Sequence, residues 1–178
     1  MAVLQLRYFP DDVLRVKTQP ITAFDDELKR FVADMAETMY AEAGIGLAAN
    51  QVGRSVRLLV MDVPRSNDDK SSNFKAMLNP EIVARDGAQN YEEGCLSFPG
   101  IQATVKRALN VTVVYQNANG ETHEERLTGL EAVCLQHEMD HLDGITFVDY
   151  LSPLKRRLLL RDLKRNLIER GIVEEAAL

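Results

Sequence analysis

The chain has 178 residues, of which 46% are hydrophobic and 27% are charged, and its net charge is −6. These values are typical of a soluble globular domain with a substantial core, and the negative charge argues against general nucleic-acid binding. No apolar run is long enough to cross a membrane, and the N-terminus carries neither a secretory signal nor a transit peptide. We therefore expect one domain over residues 1–178, located in the cytoplasm, where its two cysteines would stay reduced.

The N-terminal third of the chain predicts a short turn over 11–17 and one strong helix. Apolar residues recur at helical spacing from Asp25 to Ala43, acidic residues occupy the first turn, and Gly44 follows as a stop. A buried strand is predicted over 56–63, followed by a polar surface loop over 64–73. The residues expected on the buried face of the helix are Leu28, Phe31, Val32, Met35 and Met39.

The remainder of the chain predicts several strands and then two helices. Helices, strands and helices follow one another without regular alternation, which favours an α+β fold with mainly antiparallel sheets around a central helix. Asn119-Gly120 predicts a hairpin turn, and Ser152-Pro153 starts a last helix that ends at Gly171. The strands are expected over 74–78, 82–85, 101–107, 110–115 and 121–127, the central helix over 130–142, and the apolar stripe of the last helix at Leu154, Leu158, Leu163 and Leu167.

The most informative feature of the chain is the segment His137-Glu138-Met139-Asp140-His141. Positions i and i+4 of a helix lie on one face, so His137 and His141 can bind a single metal ion. Glu138 follows the first histidine and could act as a general base on water. The alternative is two solvated histidines on an ordinary helix, and the third histidine, His123, is expected to be simply exposed. The pattern indicates a metal-assisted hydrolase.

A catalytic metal site usually needs a third protein ligand, and both cysteines are candidates. Cys95 lies in the Gly- and Pro-rich segment 93–100, where backbone could approach a metal or substrate, and thiolates bind zinc and ferrous iron well. Cys134 precedes His137 by three residues and has apolar neighbours, so a buried structural thiol is the better interpretation. Cys95 is therefore the preferred third ligand.

A third segment, Gly44 to Gln51, contains two glycines and two alanines and predicts a loop packed closely against other backbone. It is not a phosphate-binding loop, because no Gly-Lys-Ser/Thr follows it. Gln51 at its end could donate an amide hydrogen bond to a developing oxyanion. Considered alone, the segment would be interpreted as a tight turn.

Together the three segments resemble the motifs of the peptide deformylase family, which are Gly-x-Gly-x-Ala-Ala-x-Gln, Glu-Gly-Cys-x-Ser and Gln-His-Glu-x-Asp-His. They stand complete and in order at 44–51, 93–97 and 136–141, and the resemblance extends from Phe9 to Pro153. It implies removal of the formyl group from N-formylmethionyl peptides as they emerge from the ribosome.

The resemblance also implies the roles of individual residues in the reaction. Cys95, His137 and His141 would hold the metal, which would be Fe(II), with Ni(II) or Zn(II) able to occupy the site. The ligand types alone allow iron or zinc. Glu138 would be the general base, and the oxyanion would be stabilised by the Gln51 side-chain amide, the Leu96 backbone N–H and the metal.

Substrate contacts are implied in the same way. The peptide would lie as an added strand near Ile45 and Gly94, and the wall of the methionine pocket would be formed by Gly46, Leu130, Val133, Cys134 and His137. Glu93 and Arg107 match a pair that braces the metal loop in relatives, the alternative being a surface ion pair of little worth. Gln102 stands where many bacterial members carry Arg, which predicts weaker peptide binding or an altered peptide preference.

The last helix suggests a second partner. Between Ser152 and Arg170 there are seven Lys or Arg residues and two acidic residues, a balance of +5, so that the rest of the chain carries −11. A basic helix on an acidic protein suggests docking to an anionic partner, and in proteobacterial relatives the C-terminal helix contacts the ribosome. The alternative is a solvated face whose leucines pack on the core. The protein is otherwise expected to be a monomer.

Two other functional classes are less consistent with the sequence. A His-Glu-x-x-His metalloprotease usually takes a third His or Glu downstream, but no His follows His141, and Glu169 is the only glutamate before the acidic tail. A non-enzymatic metal-binding module would more commonly use four protein ligands and would not need Glu138 or Gln51. Within the family, a different small N-acyl group as substrate is a further alternative.

Overall fold

The computed structural model of the protein describes residues 2–64 and 72–174. Most of the loop predicted over 64–73 lies outside the described residues. Within them the chain forms three α-helices, seven strands and three short 3-10 turns. The helices are α1 (Asp26–Ala41), α2 (Gly129–Leu142) and α3 (Pro153–Glu169), the strands are β1 (Gly46–Ala48), β2 (Leu58–Asp62), β3 (Phe74–Asp86), β4 (Gln89–Gly94), β5 (Gln102–Arg107), β6 (Asn110–Gln116) and β7 (Thr122–Thr128), and the turns span Asp12–Arg15, Ala49–Val52 and Phe147–Tyr150.

The strands form two antiparallel sheets. Five of them make one sheet in the order β1-β2-β3-β6-β7, and β4 pairs with β5 in a separate hairpin. The predicted α+β class with mainly antiparallel sheets is confirmed. No helix of the described segments is both long and apolar enough to cross a membrane.

The five-stranded sheet is covered by a helix on each face. Side chains alternate along β2, so Leu58 and Val60 join the cluster that contains α1, whereas Leu59 and Met61 join the cluster that contains α2. This double coverage explains why β2 is a nearly continuous apolar run. It also makes α2 the central helix of the protein, as predicted.

Helix α1 begins and packs as its sequence predicts. The Asp25 side chain accepts a hydrogen bond from the Leu28 N–H and caps the first turn. Val32, Met35 and Met39 are buried against the sheet, whereas the other two residues of the predicted face are only partly buried. The helix ends at Ala41, two residues earlier than predicted.

The strand predictions need two corrections. The segments predicted over 74–78 and 82–85 are one strand, β3, whose register with β6 shifts between Leu78 and Glu81. Asn79 adopts a positive φ of 51° at this irregularity, so Asn79-Pro80 marks a bulge and not a turn. Strands β1 and β4 were not predicted, because β1 has three residues and β4 buries only Glu93 along its length.

The apolar stripe predicted along α3 was wrong for two of its four residues. Leu163 and Leu167 are each 1% exposed, but Leu154 and Leu158 are 59% and 41% exposed. At about 100° per residue, Leu154 and Leu163 lie about 180° apart, so the predicted stripe combined two opposite faces. The face that packs on the core is completed by the partly buried Leu159 and Leu160.

Candidate metal centre and active site

Cys95, His137 and His141 converge on one point in the interior. Their ligand atoms all lie within 4.8 Å of one another, and Cys95 Sγ is 3.2 Å from His141 Nε2. The two histidines project from the same face of α2, and Cys95 lies directly after β4. The structure therefore brings together all three residues predicted as metal ligands, although Cys95 is more than 40 residues from either histidine in sequence.

The ring of His137 is oriented by a buried network of charges. Its Nδ1 lies 2.8 Å from Glu93 Oε2, which directs Nε2 towards Cys95 and His141. Arg107 donates two hydrogen bonds to Glu93, at 2.6 and 2.9 Å, and a third to Asp140, at 2.6 Å. Tyr150 O–H donates to the same Asp140 oxygen, at 2.9 Å.

The Glu93–Arg107 pair is buried, so the alternative of a surface ion pair is wrong. The side chains of Arg107 and Glu93 are 4% and 3% exposed. Burial alone would raise the pKa of Glu93, but the hydrogen bonds from Arg107 and His137 outweigh it and hold that pKa below its usual value. Glu93 is therefore an anion, fixed in place beside a histidine that is predicted to bind the metal.

Glu138 is a buried carboxyl group that borders the cleft. Its Oε2 has no hydrogen-bond partner among the described residues, and burial raises the pKa of the group to about 7. A Cβ atom at Gly46 would lie 2.6 Å from Glu138 Oε1 and 2.7 Å from Cys134 Sγ. Glycine is therefore required at position 46 to leave room for the side chain of Glu138.

Gln51 is held with its amide donor towards Cys95, one of the predicted metal ligands. Its Oε1 accepts the Ala48 N–H, at 2.9 Å, so its Nε2 faces the opposite side. That nitrogen donates to Ser97 Oγ, at 3.2 Å, and lies 3.5 Å from Cys95 Sγ. Ser97 belongs to the second motif, and the sequence alone assigned it no role. The contact indicates that Ser97 orients Gln51.

The residues predicted to bind substrate line one cleft of about 570 Å³. This volume lies within the usual range for small-molecule sites. Cys134 forms part of the wall, and burial raises the pKa of its thiol well above the usual value, so it is a neutral, soft surface. The cleft also reaches Tyr8, Glu42 and Arg170, which sequence reasoning did not include. The predicted residues that line it are Ile45, Gly46, Gln51, Gly94, Cys95, Leu96, Leu130, Val133, Cys134, His137 and Glu138.

Comparison with known proteins identifies the family. A family model described as polypeptide deformylase matches residues 3–157. The chain is 48% identical to a peptide deformylase of Desulfotalea psychrophila over 93% of this chain and 97% of that protein, and 45% identical to one of Zymomonas mobilis over 99% of each. A crystal structure of a peptide deformylase from Legionella pneumophila superimposes with a TM-score of 0.89, at 44% identity, over 96% of this chain and 98% of that one. The chain therefore belongs to the polypeptide deformylase family, whose members are hydrolases that remove the N-formyl group from nascent peptides.

Proposed function

We propose that the cleft removes the formyl group from N-formylmethionyl peptides, with one divalent metal held by Cys95, His137 and His141. The observation that carries the proposal is the convergence of one thiol and two imidazoles within 4.8 Å, beside the unpartnered carboxyl of Glu138. This donor set fits the metal, because thiolate and imidazole suit Fe(II), Ni(II) and Zn(II), and three protein ligands leave a position open. We propose Fe(II) as the native ion, with Ni(II) or Zn(II) able to replace it.

A metal in this position supplies Lewis acidity, which polarises the formyl group and makes water a better nucleophile near neutral pH. The protein supplies the proton transfers. Glu138 accepts a proton from the attacking water and delivers it to the departing amine. Its side chain lies on the wall of the cleft. No described residue forms a hydrogen bond with Glu138 Oε2, so this oxygen is free to accept the proton.

The negative charge that develops on the formyl oxygen requires donors that are already oriented. The Gln51 amide is oriented by Ala48 and Ser97, and the Leu96 backbone N–H follows Cys95 directly in the chain. We assign these two groups as the oxyanion donors. Loss of one such donor typically costs about 3–4 kcal/mol of barrier.

The peptide is proposed to bind as an added strand. Among the described strands, β1 pairs only with β2 and β4 only with β5, so each has an unpaired edge. Ile45 precedes β1 and Gly94 ends β4, and both line the cleft. The methionine side chain would enter the pocket whose wall is formed by Gly46, Leu130, Val133, Cys134 and His137.

Gln102 also lines the cleft, and as a neutral residue it would hold the downstream peptide less strongly than an Arg.

We propose that α3 docks the enzyme on the ribosome in the cytoplasm, where the enzyme acts as a monomer. Residues 152–170 contain seven Lys or Arg and two acidic residues, a balance of +5, and most of the basic side chains are exposed. The two exposed leucines, Leu154 and Leu158, lie among these cations and add apolar area to the same surface. Polyanionic RNA is the partner that such a surface favours.

The test is formate release from formyl-Met-Ala-Ser by anaerobically purified, Fe(II)-loaded protein. We expect wild type and the exposed control Glu124→Ala to release formate and Glu138→Ala to release none. Acetyl-Met-Ala-Ser, measured in parallel, distinguishes a formyl-specific site from one that accepts another small acyl group. Absence of formate release from metal-replete wild type would contradict the proposal.

Ribosome docking is tested by co-sedimentation with ribosomes, which should weaken when Lys155, Arg157 and Arg161 are replaced by Glu.

A further inference from the structure

We infer that Asn50 is a positioning residue that holds the metal ligand His141 and the oxyanion donor Gln51 in a fixed relation. The inference rests on the proposed function and extends it to a residue that occupies a variable position of the first motif. Asn50 lies in the 3-10 turn Ala49–Val52, directly before Gln51, and its side chain is fully buried. It contacts neither the cleft nor the other two predicted ligands in the hydrogen bonds described.

The contact that carries the inference joins two parts of the chain 91 residues apart. Asn50 Nδ2 donates to the backbone carbonyl of His141, at 2.5 Å. That carbonyl lies in the last turn of α2, where carbonyl groups lack intrahelical partners and must be satisfied from elsewhere. The Gly144 N–H donates to this carbonyl from the end of the helix, at 3.0 Å, and Asn50 donates to it from the separate 3-10 turn. The end of α2 that carries His141 is therefore tied to the turn that carries Gln51.

Asn50 and His141 each also have one buried side-chain atom that lacks a hydrogen-bond partner among the described residues. These atoms are Asn50 Oδ1 and His141 Nδ1. A metal-bound histidine normally donates its second ring N–H to an acceptor, as His137 does to Glu93. The direct contact of Asn50 is with the backbone carbonyl of His141, and Asn50 positions the ligand through this backbone.

The neighbouring carbonyl provides a matched control. Leu142 O accepts the Thr18 N–H, at 2.9 Å, and Thr18 Oγ1, at 2.8 Å, and Thr18 is also buried. Thr18→Val and Asn50→Leu each remove a buried polar contact to the end of α2 and keep the number and branching of the side-chain heavy atoms. They differ in that only Asn50 contacts a metal ligand. A general loss of helix stability would affect both variants, whereas loss of positioning would affect Asn50→Leu alone.

The experiment compares Zn(II)-loaded wild type, Asn50→Leu and Thr18→Val. Zinc release to a chromophoric chelator should be about tenfold faster from Asn50→Leu, because removal of an outer partner of a metal ligand typically weakens metal affinity 10–100-fold. Release from Thr18→Val should match wild type. With formyl-Met-Ala-Ser, Asn50→Leu should lower kcat and leave KM unchanged, since it disturbs Gln51 and not the peptide contacts. Thermal unfolding of the metal-free proteins measures the stability loss of each variant separately.

Equal zinc release from Asn50→Leu and Thr18→Val would overturn the inference. If Asn50→Leu does not fold, Asn50→Ala replaces it in the same comparison. Failure of the proposed function has a different signature: wild type would release no formate, or a Cys95→Ser variant would retain zinc as firmly as wild type. Measurements on wild type and Cys95→Ser therefore test the proposed function, and measurements on the Asn50 variants and Thr18→Val test the inference about Asn50.

Discussion

Helices α2 and α3 have similar lengths, 14 and 17 residues, but opposite characters. Ten residues of α2 are buried, four of them polar, whereas two residues of α3 are buried. Buried polar side chains are usually held by hydrogen bonds, and groups outside the helix hold two of the four: Ala108 bonds Gln136, and Glu93 bonds His137. Most of the basic side chains of α3 are exposed, so the surface that they form depends on summed charge and not on the exact position of each atom. The site proposed for catalysis and the surface proposed for docking therefore differ in how far each side chain is constrained.

This difference predicts that single-atom changes matter around α2 and matter little on the exposed face of α3. The following predictions, in order of decreasing expected effect, test that contrast.

The largest expected effect is on catalysis. Gln51→Leu keeps the volume of the side chain but removes the amide that Ala48 and Ser97 orient. We expect kcat for formyl-Met-Ala-Ser to fall about 10²–10³-fold, with KM and metal content unchanged. Steady-state kinetics on Fe(II)-loaded protein measure the effect, and the exposed Gln5→Leu is the control. A loss in kcat smaller than about tenfold would contradict the role of Gln51 as an oxyanion donor.

The next effect separates the two faces of α3. Leu163→Ala removes a side chain that is 1% exposed, in the cluster that contains Phe98 and Phe147, and should lower the free energy of unfolding by about 2–5 kcal/mol. Leu158→Ala, on the exposed face, should change it by no more than about 0.5 kcal/mol. Urea unfolding measures both values. Similar losses from the two variants would show that the exposed leucines are covered by packing after all.

A smaller effect is expected for the buried network behind His137. Glu93→Gln leaves the Arg107 charge with Asp140 as its one remaining anionic partner in the described network and replaces one acceptor oxygen with a donor. Metal affinity should fall about 10–100-fold. Competition with a chelator measures it, and Glu92→Gln, a change at the exposed neighbour on β4, should retain wild-type affinity. Unchanged affinity in Glu93→Gln would mean that the orientation of His137 depends on α2 alone.

The smallest effect is a pH dependence at Asp149, in the 3-10 turn Phe147–Tyr150 that precedes α3. Burial raises the pKa of Asp149, but hydrogen bonds from Arg15 and Thr146 outweigh it, so the pKa in the folded protein lies below its usual value. The stability that this carboxylate provides is therefore present above its unfolded pKa, about 4, and is lost as the pH falls through the folded value. Asp149→Asn should destabilise the metal-free protein by about 1–2 kcal/mol at neutral pH. Urea unfolding should show that this difference narrows at about pH 3, and a constant difference would contradict the assignment.

Much of the site could be predicted from the sequence because its determinants are local. The spacing of His137 and His141 places both rings on one helix face whatever surrounds the helix. The cap at Asp25 and the Ser152-Pro153 start depend on neighbouring residues in the chain, and both are present in the structure. The preference for Cys95 over Cys134 as third ligand followed from the composition of the segment around it. Its convergence with the histidines was implied by the family motifs.

Other features depended on contacts between distant parts of the chain. The burial of the Glu93–Arg107 pair, and the partners of Asn50, result from elements that meet only after folding. Strand β4 has no apolar alternation, and its pairing with β5 makes it a strand. The packed face of α3 is selected by the cluster beneath it and not by its leucines, which occur on both faces.

The sequence by itself therefore determined the family, the α+β class and the identity of the groups that converge on the metal centre, because motif spacing and helix periodicity are short-range properties. The tertiary structure decided which polar groups are buried, which partners orient them and which face of α3 is free. Those outcomes depend on long-range packing, in which a side chain gains its role from residues tens of positions away.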